Sequence, residues 1–332
     1  MLAESRLGGI VTSGDPTGLS SNQLAGIDFR YRRSNFWPGK RLDAVLYAER
    51  SFSDVRPDDD AFGITVDYPN EPWQALLRVK QVGEDFRPAL GFVNRPGVRL
   101  YEGEVAAIRR PTNSYARRVD IMAFEQLVTG LDNRLQSRND RLSFIIETSV
   151  NGEITGGVDN YVELLATPFM LADTLTVPAD RYEFLRAFAR VETSTTRPLS
   201  VAWKLVCCEY FGGTSTESEL AISYRPSARF NLEFKHNLQP IHLPSGRTTI
   251  HIESLNTTVN FTPDMRLVSE LQYDNVSHRF GGSLRYRWEI HPTTELLVTI
   301  GESAVLMGRV PHGSYRSQAT ALSVRLGHRF QF

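Results

Sequence analysis

The chain has almost no cysteine. Cys207 and Cys208 stand side by side, so they cannot close a loop between distant segments and offer no metal-ligand spacing. It also lacks net charge: 37 Lys plus Arg face 38 Asp plus Glu, which removes the electrostatic basis for binding nucleic acid or an anionic membrane surface. Lysine is scarce. Only Lys40, Lys80, Lys204 and Lys235 occur, and the other positive charges are arginine, a planar donor fork suited to fixed carboxylate or phosphate contacts. No stretch approaches the ~18 apolar residues of a membrane-spanning helix, and the strongest run, Val201 to Cys208, is interrupted by Lys204. The start, Met1-Leu2-Ala3-Glu4-Ser5-Arg6, has no basic-then-apolar pattern. If the protein is exported, its signal peptide is expected to be missing from this sequence.

Long amphipathic helices are absent from the pattern as well. What fills the chain is short stretches of Val, Ile, Leu, Tyr, Phe and Thr between clusters of Pro, Gly, Asn and Asp, the signature of strands and turns. In Ser283-Leu284-Arg285-Tyr286-Arg287-Trp288-Glu289-Ile290, Leu, Tyr, Trp and Ile alternate with Ser, Arg, Arg and Glu, so a strand there has one apolar and one polar face. The same period recurs at Phe230 to Lys235 and Leu322 to Leu326. A soluble β-sandwich alternates in this way too, and periodicity alone leaves it open.

A repeated turn carries the argument further. Phe36 to Leu42, Tyr224 to Phe230, Phe261 to Leu267 and Ile290 to Leu296 each place proline two residues after a large apolar residue, then resume with a charge and an apolar residue. Proline fixes φ and donates nothing to a ladder, so these segments mark hairpin ends, and their large flanking residues suit the aromatic girdle of a membrane barrel. Strands are expected at Arg6–Thr12, Asn22–Arg32, Phe230–Asn237, Thr248–Phe261, Met265–Asp274, Arg279–Ile290, Glu295–Glu302 and Thr320–Phe332, with five further pairs between Pro38 and Pro226. The expected fold is all-β: one antiparallel transmembrane up-and-down β-barrel domain over residues 1–332, with about 16–18 strands in this chain and an incomplete barrel left open.

In the last strand, Leu322, Val324, Leu326, His328, Phe330 and Phe332 fall in one phase. A terminal aromatic in such a phase resembles the signal read by the barrel-assembly machinery, carried here by Phe330 and Phe332, with His328 as the exception. Inside the chain, Val82-Gly83-Glu84-Asp85-Phe86-Arg87-Pro88-Ala89-Leu90-Gly91-Phe92-Val93-Asn94-Arg95 resembles the hallmark segment of the outer-membrane family called domain of unknown function 5916. Asn22 to Phe29, and Leu271 to Asn275 followed by Leu284 to Glu289, are similar to its pattern too. The resemblance implies a barrel in the bacterial outer membrane, downstream of a signal peptide and a carbohydrate-binding-module-9-like domain that this sequence does not contain. It also makes glycans a cargo to consider.

The chemistry-bearing residues form no catalytic motif. His236, His242, His251, His278, His291, His312 and His328 have no close metal spacing, G-x-S-x-G is missing, and Gly156-Gly157 and Gly212-Gly213 read as turns rather than phosphate loops. The expectation is no enzyme, catalytic residue, metal or cofactor, with a barrel hydrolase as the alternative. Glu84, Asp85, Arg87 and Arg95 lie in a long connection that either projects outward or folds into the lumen. An ordered loop whose acids and arginines pair with one another is the plain alternative to a functional one. Glu233, Lys235, Glu270, Arg285, Arg287, Glu289, Arg325 and Arg329 are expected to face the lumen, as a salt-bridged wall that sets the field for a permeating solute. Expected partners are outer-membrane lipid, the assembly machinery and a small solute or glycan. Three roles remain: a channel, a membrane-anchored binding module with a plugged barrel, or a soluble sandwich.

Overall fold

The computed structural model describes residues 4–18, 20–112, 115–172, 175–307 and 314–330. His312 and Phe332, singled out above, lie outside the described residues. Strands account for nearly all of the order, and no helix occurs among the described residues. Two compact units are present: Met1–Ile146 with Gly157–Thr167 and Pro178–Leu185, and Glu147–Gly156 with Pro168–Val177 and Arg186–Phe332.

The strands of the first unit are β1 (Arg6–Ser13), β2 (Asn22–Trp37), β3 (Lys40–Ser53), β4 (Asp59–Pro69), β5 (Trp73–Val82), β6 (Val98–Arg109), β7 (Ala116–Gly130), most of β8 (Leu135–Thr148) and most of β9 (Glu153–Leu164). From β1 to β7 each pairs antiparallel with its sequence neighbour. The registers align Leu7, Phe29, Leu46, Ile64, Val79, Tyr101 and Leu127 in one row across seven strands, and place Arg30, Val45, Thr65, Arg78, Glu102 and Gln126 in a row of the opposite phase. Because the side-chain period is two, a one-residue slip would exchange these faces. The first face leaves Leu7, Ile27, Leu46, Phe62, Leu77, Val105 and Ile121 exposed. Such a continuous apolar surface is what a strand wall offers to lipid.

Turns close the hairpins at one end. Gly39 has φ +68°, the left-handed conformation that glycine adopts without strain, directly after Pro38. Trp37 meets Phe36 and Tyr68 edge to face at 4.7 and 5.9 Å, an aromatic cluster at the turn end. Glu71 accepts two hydrogen bonds from Arg110, at 2.8 and 2.9 Å, tying one turn to the next connection.

The second unit holds the hairpin β10 (Phe169–Ala172) and β11 (Leu175–Val177), most of β12 (Arg181–Glu192), then β13 (Leu199–Tyr210), β14 (Gly213–Ser215), β15 (Glu217–Ser227), β16 (Phe230–Leu243), β17 (Gly246–Thr262), β18 (Met265–Asp274), β19 (Arg279–His291), β20 (Thr294–Met307) and β21 (Ser314–His328). Consecutive long strands pair antiparallel. Leu284, Ile300 and Leu322, then Tyr286, Val298 and Val324, then Trp288, Leu296 and Leu326 form apolar rows across β19–β21. Of the 21 described strands, three have three or four residues and the other 18 are long, the upper end of the expected count.

Several boundaries depart from expectation. β21 stops at His328, so Arg329 and Phe330 follow the strand instead of ending it; the Arg329 amide donates to the Thr293 carbonyl at 2.7 Å. His328 interrupts the apolar phase because its ring Nδ1 pairs with the Thr294 hydroxyl at 2.7 Å beside the β19–β20 turn. Gly156 and Gly157 lie inside β9 rather than in a turn, since neither has the positive φ that Asn151 supplies nearby. Cys207 and Cys208 are in a strand as expected, and are bonded to each other.

Candidate functional site

The polar faces carry the charge. In the first unit Arg32 and Arg41 both reach Asp43 at 2.7 Å, Arg78 pairs with Glu102 at 2.8 Å, Arg118 with Asp120 at 2.7 Å, and Arg141 with Asp159 at 2.6 Å. In the second, Lys204 meets Glu219 at 3.1 Å, Lys235 meets Glu233 at 2.6 Å, and Arg287 meets Glu295 at 2.6 Å and Glu289 at 3.6 Å. Glu233, Lys235, Glu270, Arg285, Arg287, Glu289 and Arg325 share the phase opposite the apolar rows, and several are ion-paired. Arg285 and Arg325 have no ion pair among the described residues. Arg329 lies beyond the strand.

The long connection after β5 folds back over the polar face of the first unit. Phe86 is 5% exposed and packs with Leu24, Ala61 and Val82, all on that face, with Val93 against the cluster. Burial of the ring is what draws the loop inward, and three polar side chains then fix its backbone. Asn22 donates through Nδ2 to the Arg87 carbonyl at 2.8 Å and accepts from the Ala89 amide at 2.9 Å. The Ser51 hydroxyl accepts from the Arg87 amide at 3.0 Å, and the Asp59 carboxylate from the Asp85 amide at 2.8 Å. Gly83 permits this approach, since a Cβ there would lie 2.1 Å from the Asp59 carboxylate. Asn22 and Ser51 are almost fully buried, so satisfying them matters.

The connection thus packs against the polar face of the first unit. The loop is ordered, but by these backbone bonds: among the described residues, none of Glu84, Asp85, Arg87 and Arg95 forms an ion pair with another of the four. Arg95 instead donates to the Ser137 hydroxyl at 3.3 Å.

The second unit has a comparable feature that the sequence reading did not single out. The β10–β11 hairpin buries Leu175 and Val177 almost completely, as Ile241 of β16 is buried, and the Ser245 hydroxyl donates to the Thr176 carbonyl at 2.7 Å. The available signal was Leu175-Thr176-Val177, an apolar alternation too short for a spanning strand and too apolar for a solvated loop.

At the loop end of the first unit, Asp15 accepts from the Ser20 and Thr17 hydroxyls and from the Thr17 amide. These bonds favour the carboxylate and hold its pKa down at about 2. At the turn end, the Arg110 hydrogen bonds likewise lower Glu71. Phe330, the described half of the expected assembly signal, is exposed with its ring 4.5 Å from His328.

No protein-family model matches the chain, and no curated protein matches it. Solved structures do. The chain has the fold of outer-membrane receptor barrels, antiparallel and up-and-down. The ferric-catecholate import receptor Fiu from E. coli K12 is similar at a TM-score of 0.54 and 10% identity, over 98% of this chain and 70% of that one. The ferric enterobactin receptor PfeA from Pseudomonas aeruginosa gives 0.55 and 11%, over 94% of this chain; the match spans 62%, less than two thirds, of the receptor. The copper transporter OprC gives 0.51 and 10%, over 97% and 67%.

Proposed function

We propose that this protein sits in a bacterial outer membrane as a strand-built transport component for small solutes, with the loop after β5 narrowing the path along its polar face. The observation that carries this reading is the course of that loop over the polar face: a segment held by Asp59 and by buried Asn22 and Ser51 over a charged wall lies where a solute moving along the wall must meet it. Exposed apolar rows on the opposite face suit lipid, and the receptors of like fold are transport proteins by name. Barrel assembly through Phe330 and Phe332, and membership of the domain of unknown function 5916 family with a glycan-related cargo, are part of the same proposal. They rest on the sequence resemblance.

Planar-bilayer recording tests it. The protein should give discrete conductance steps, and replacing residues 84–95 with a short Gly-Ser turn should enlarge them. A correctly folded barrel that stays silent in both forms would favour the anchor reading and sink the channel one.

A further inference from the structure

We propose that the polar face of the second unit carries a weak binding site for a neutral polyhydroxylated solute of sugar-alcohol size, which names a solute class for the transport reading and rests on it. A hollow of about 640 Å³ opens there over β17–β20. Its depth comes from Gly281 of β19, which lines it beside Ser303 of β20. A Cβ on Gly281 would meet nothing within 4 Å, and its φ is not positive. Packing and backbone therefore leave room for a side chain there, and the side chain's absence is what keeps the wall recessed.

Around the recess stand Ser254 and Asn256 from β17, Gln272 from β18, Ser283 from β19 and Ser303 from β20, all in the polar phase. Each is neutral and both donates and accepts. Three charged residues, Glu270, Asp274 and Arg279, also line it. Glu270 only accepts, with a single long bond from the Ser283 hydroxyl at 3.4 Å, and Arg279 only donates. Asp274 is committed to its own turn, accepting from the Val276 amide at 2.8 Å and the Ser277 hydroxyl at 2.7 Å.

A free cation entering the recess meets Arg279, and a free anion meets Glu270. A hydroxyl satisfies both, giving its proton to the carboxylate and receiving one from the guanidinium, while neighbouring hydroxyls use the serine and amide groups. Phe280 also lines the recess, but it lies in the phase of the apolar face, opposite Tyr273 and Ala304. No stacking platform adds affinity, and weak binding is what passage through a pore requires.

Saturation-transfer NMR on the full chain in lauryldimethylamine oxide, a detergent without sugar headgroups, tests the site with sorbitol as probe. Transfer to sorbitol is expected, with loss of that transfer in Gly281→Phe and in Ser303→Phe, whichever keeps its heat-modifiable gel mobility. Transfer to alanine but not sorbitol would assign the recess to zwitterions and overturn the proposal, as would sorbitol transfer undiminished in a folded variant. Bilayer recording on the same preparation separates the two readings. A conducting barrel without sorbitol transfer removes the site alone, whereas variant-sensitive transfer to a silent barrel keeps the site and removes the channel.

Discussion

A single buried amide does much of the loop's anchoring. Asn22 bonds the Arg87 carbonyl and the Ala89 amide at once, as a neighbouring strand would. Asn22→Leu should leave both groups unpaired, at a cost of about 1–3 kcal/mol each. The expected result is faster amide exchange over residues 85–92, with exchange in the β2–β3 ladder unchanged. Phe86→Ala should loosen the same segment, by up to about 3–5 kcal/mol if the emptied space cannot collapse. Asp15 supplies a pH test. Its folded pKa of about 2 is depressed below the ordinary 3.8, so the stability it lends its turn is complete above the ordinary value and is lost as pH falls through about 2. A carboxylate titration by carbon-detected NMR should place its midpoint there, and Ser20→Ala should move it upward. These contacts were not legible in the sequence. Glu84 to Arg95 stood out for their charges, yet the residues that hold them, Asn22, Ser51 and Asp59, are 26 to 67 positions from the groups they bond and look like ordinary strand-end polar residues.

At the level of strands the sequence was far more informative. Each proline turn falls where a hairpin closes, and Met265–Asp274 matches its expected bounds at both ends, because alternation is enforced over every residue of a wall with two unlike faces. The ends of strands were harder. β16 runs on to Leu243 and β20 to Met307, since beyond an apolar belt the hydrogen-bonded ladder continues without needing alternation. The face assignment makes a paired prediction within β21. Val324→Arg, on the exposed apolar row, should cost about 2–4 kcal/mol in a phospholipid bilayer if it lies near the midplane. Ser323→Arg, one residue away in the polar phase beside Arg325, should be close to neutral. Urea titrations of the two variants folded into vesicles would measure the difference, and equal costs would refute the assignment.

For the molecule as a whole, the balance of surfaces decides between a membrane wall and a soluble sandwich. A sandwich needs two apolar sheet faces turned toward each other, but here exposed large apolar side chains outnumber the buried ones and fall in continuous rows. The protein should therefore need detergent for extraction, and its gel mobility should change on boiling. Recovery as a soluble monomer would contradict the membrane reading. A solute was not legible in the sequence, because no local motif specifies one; the neutral and charged groups of the proposed recess come together only across β17–β20.

The loop after β5 is held by its main chain and by Phe86, while the side chains of Glu84, Arg87 and Arg95 take no part in the Asn22, Ser51 and Asp59 bonds. In the proposed transport role, holding and filtering would therefore fall to different atoms. Substitution among these charged side chains would retune which solutes are favoured without releasing the segment, so selectivity would be free to drift between descendants of this sequence while the loop keeps its place.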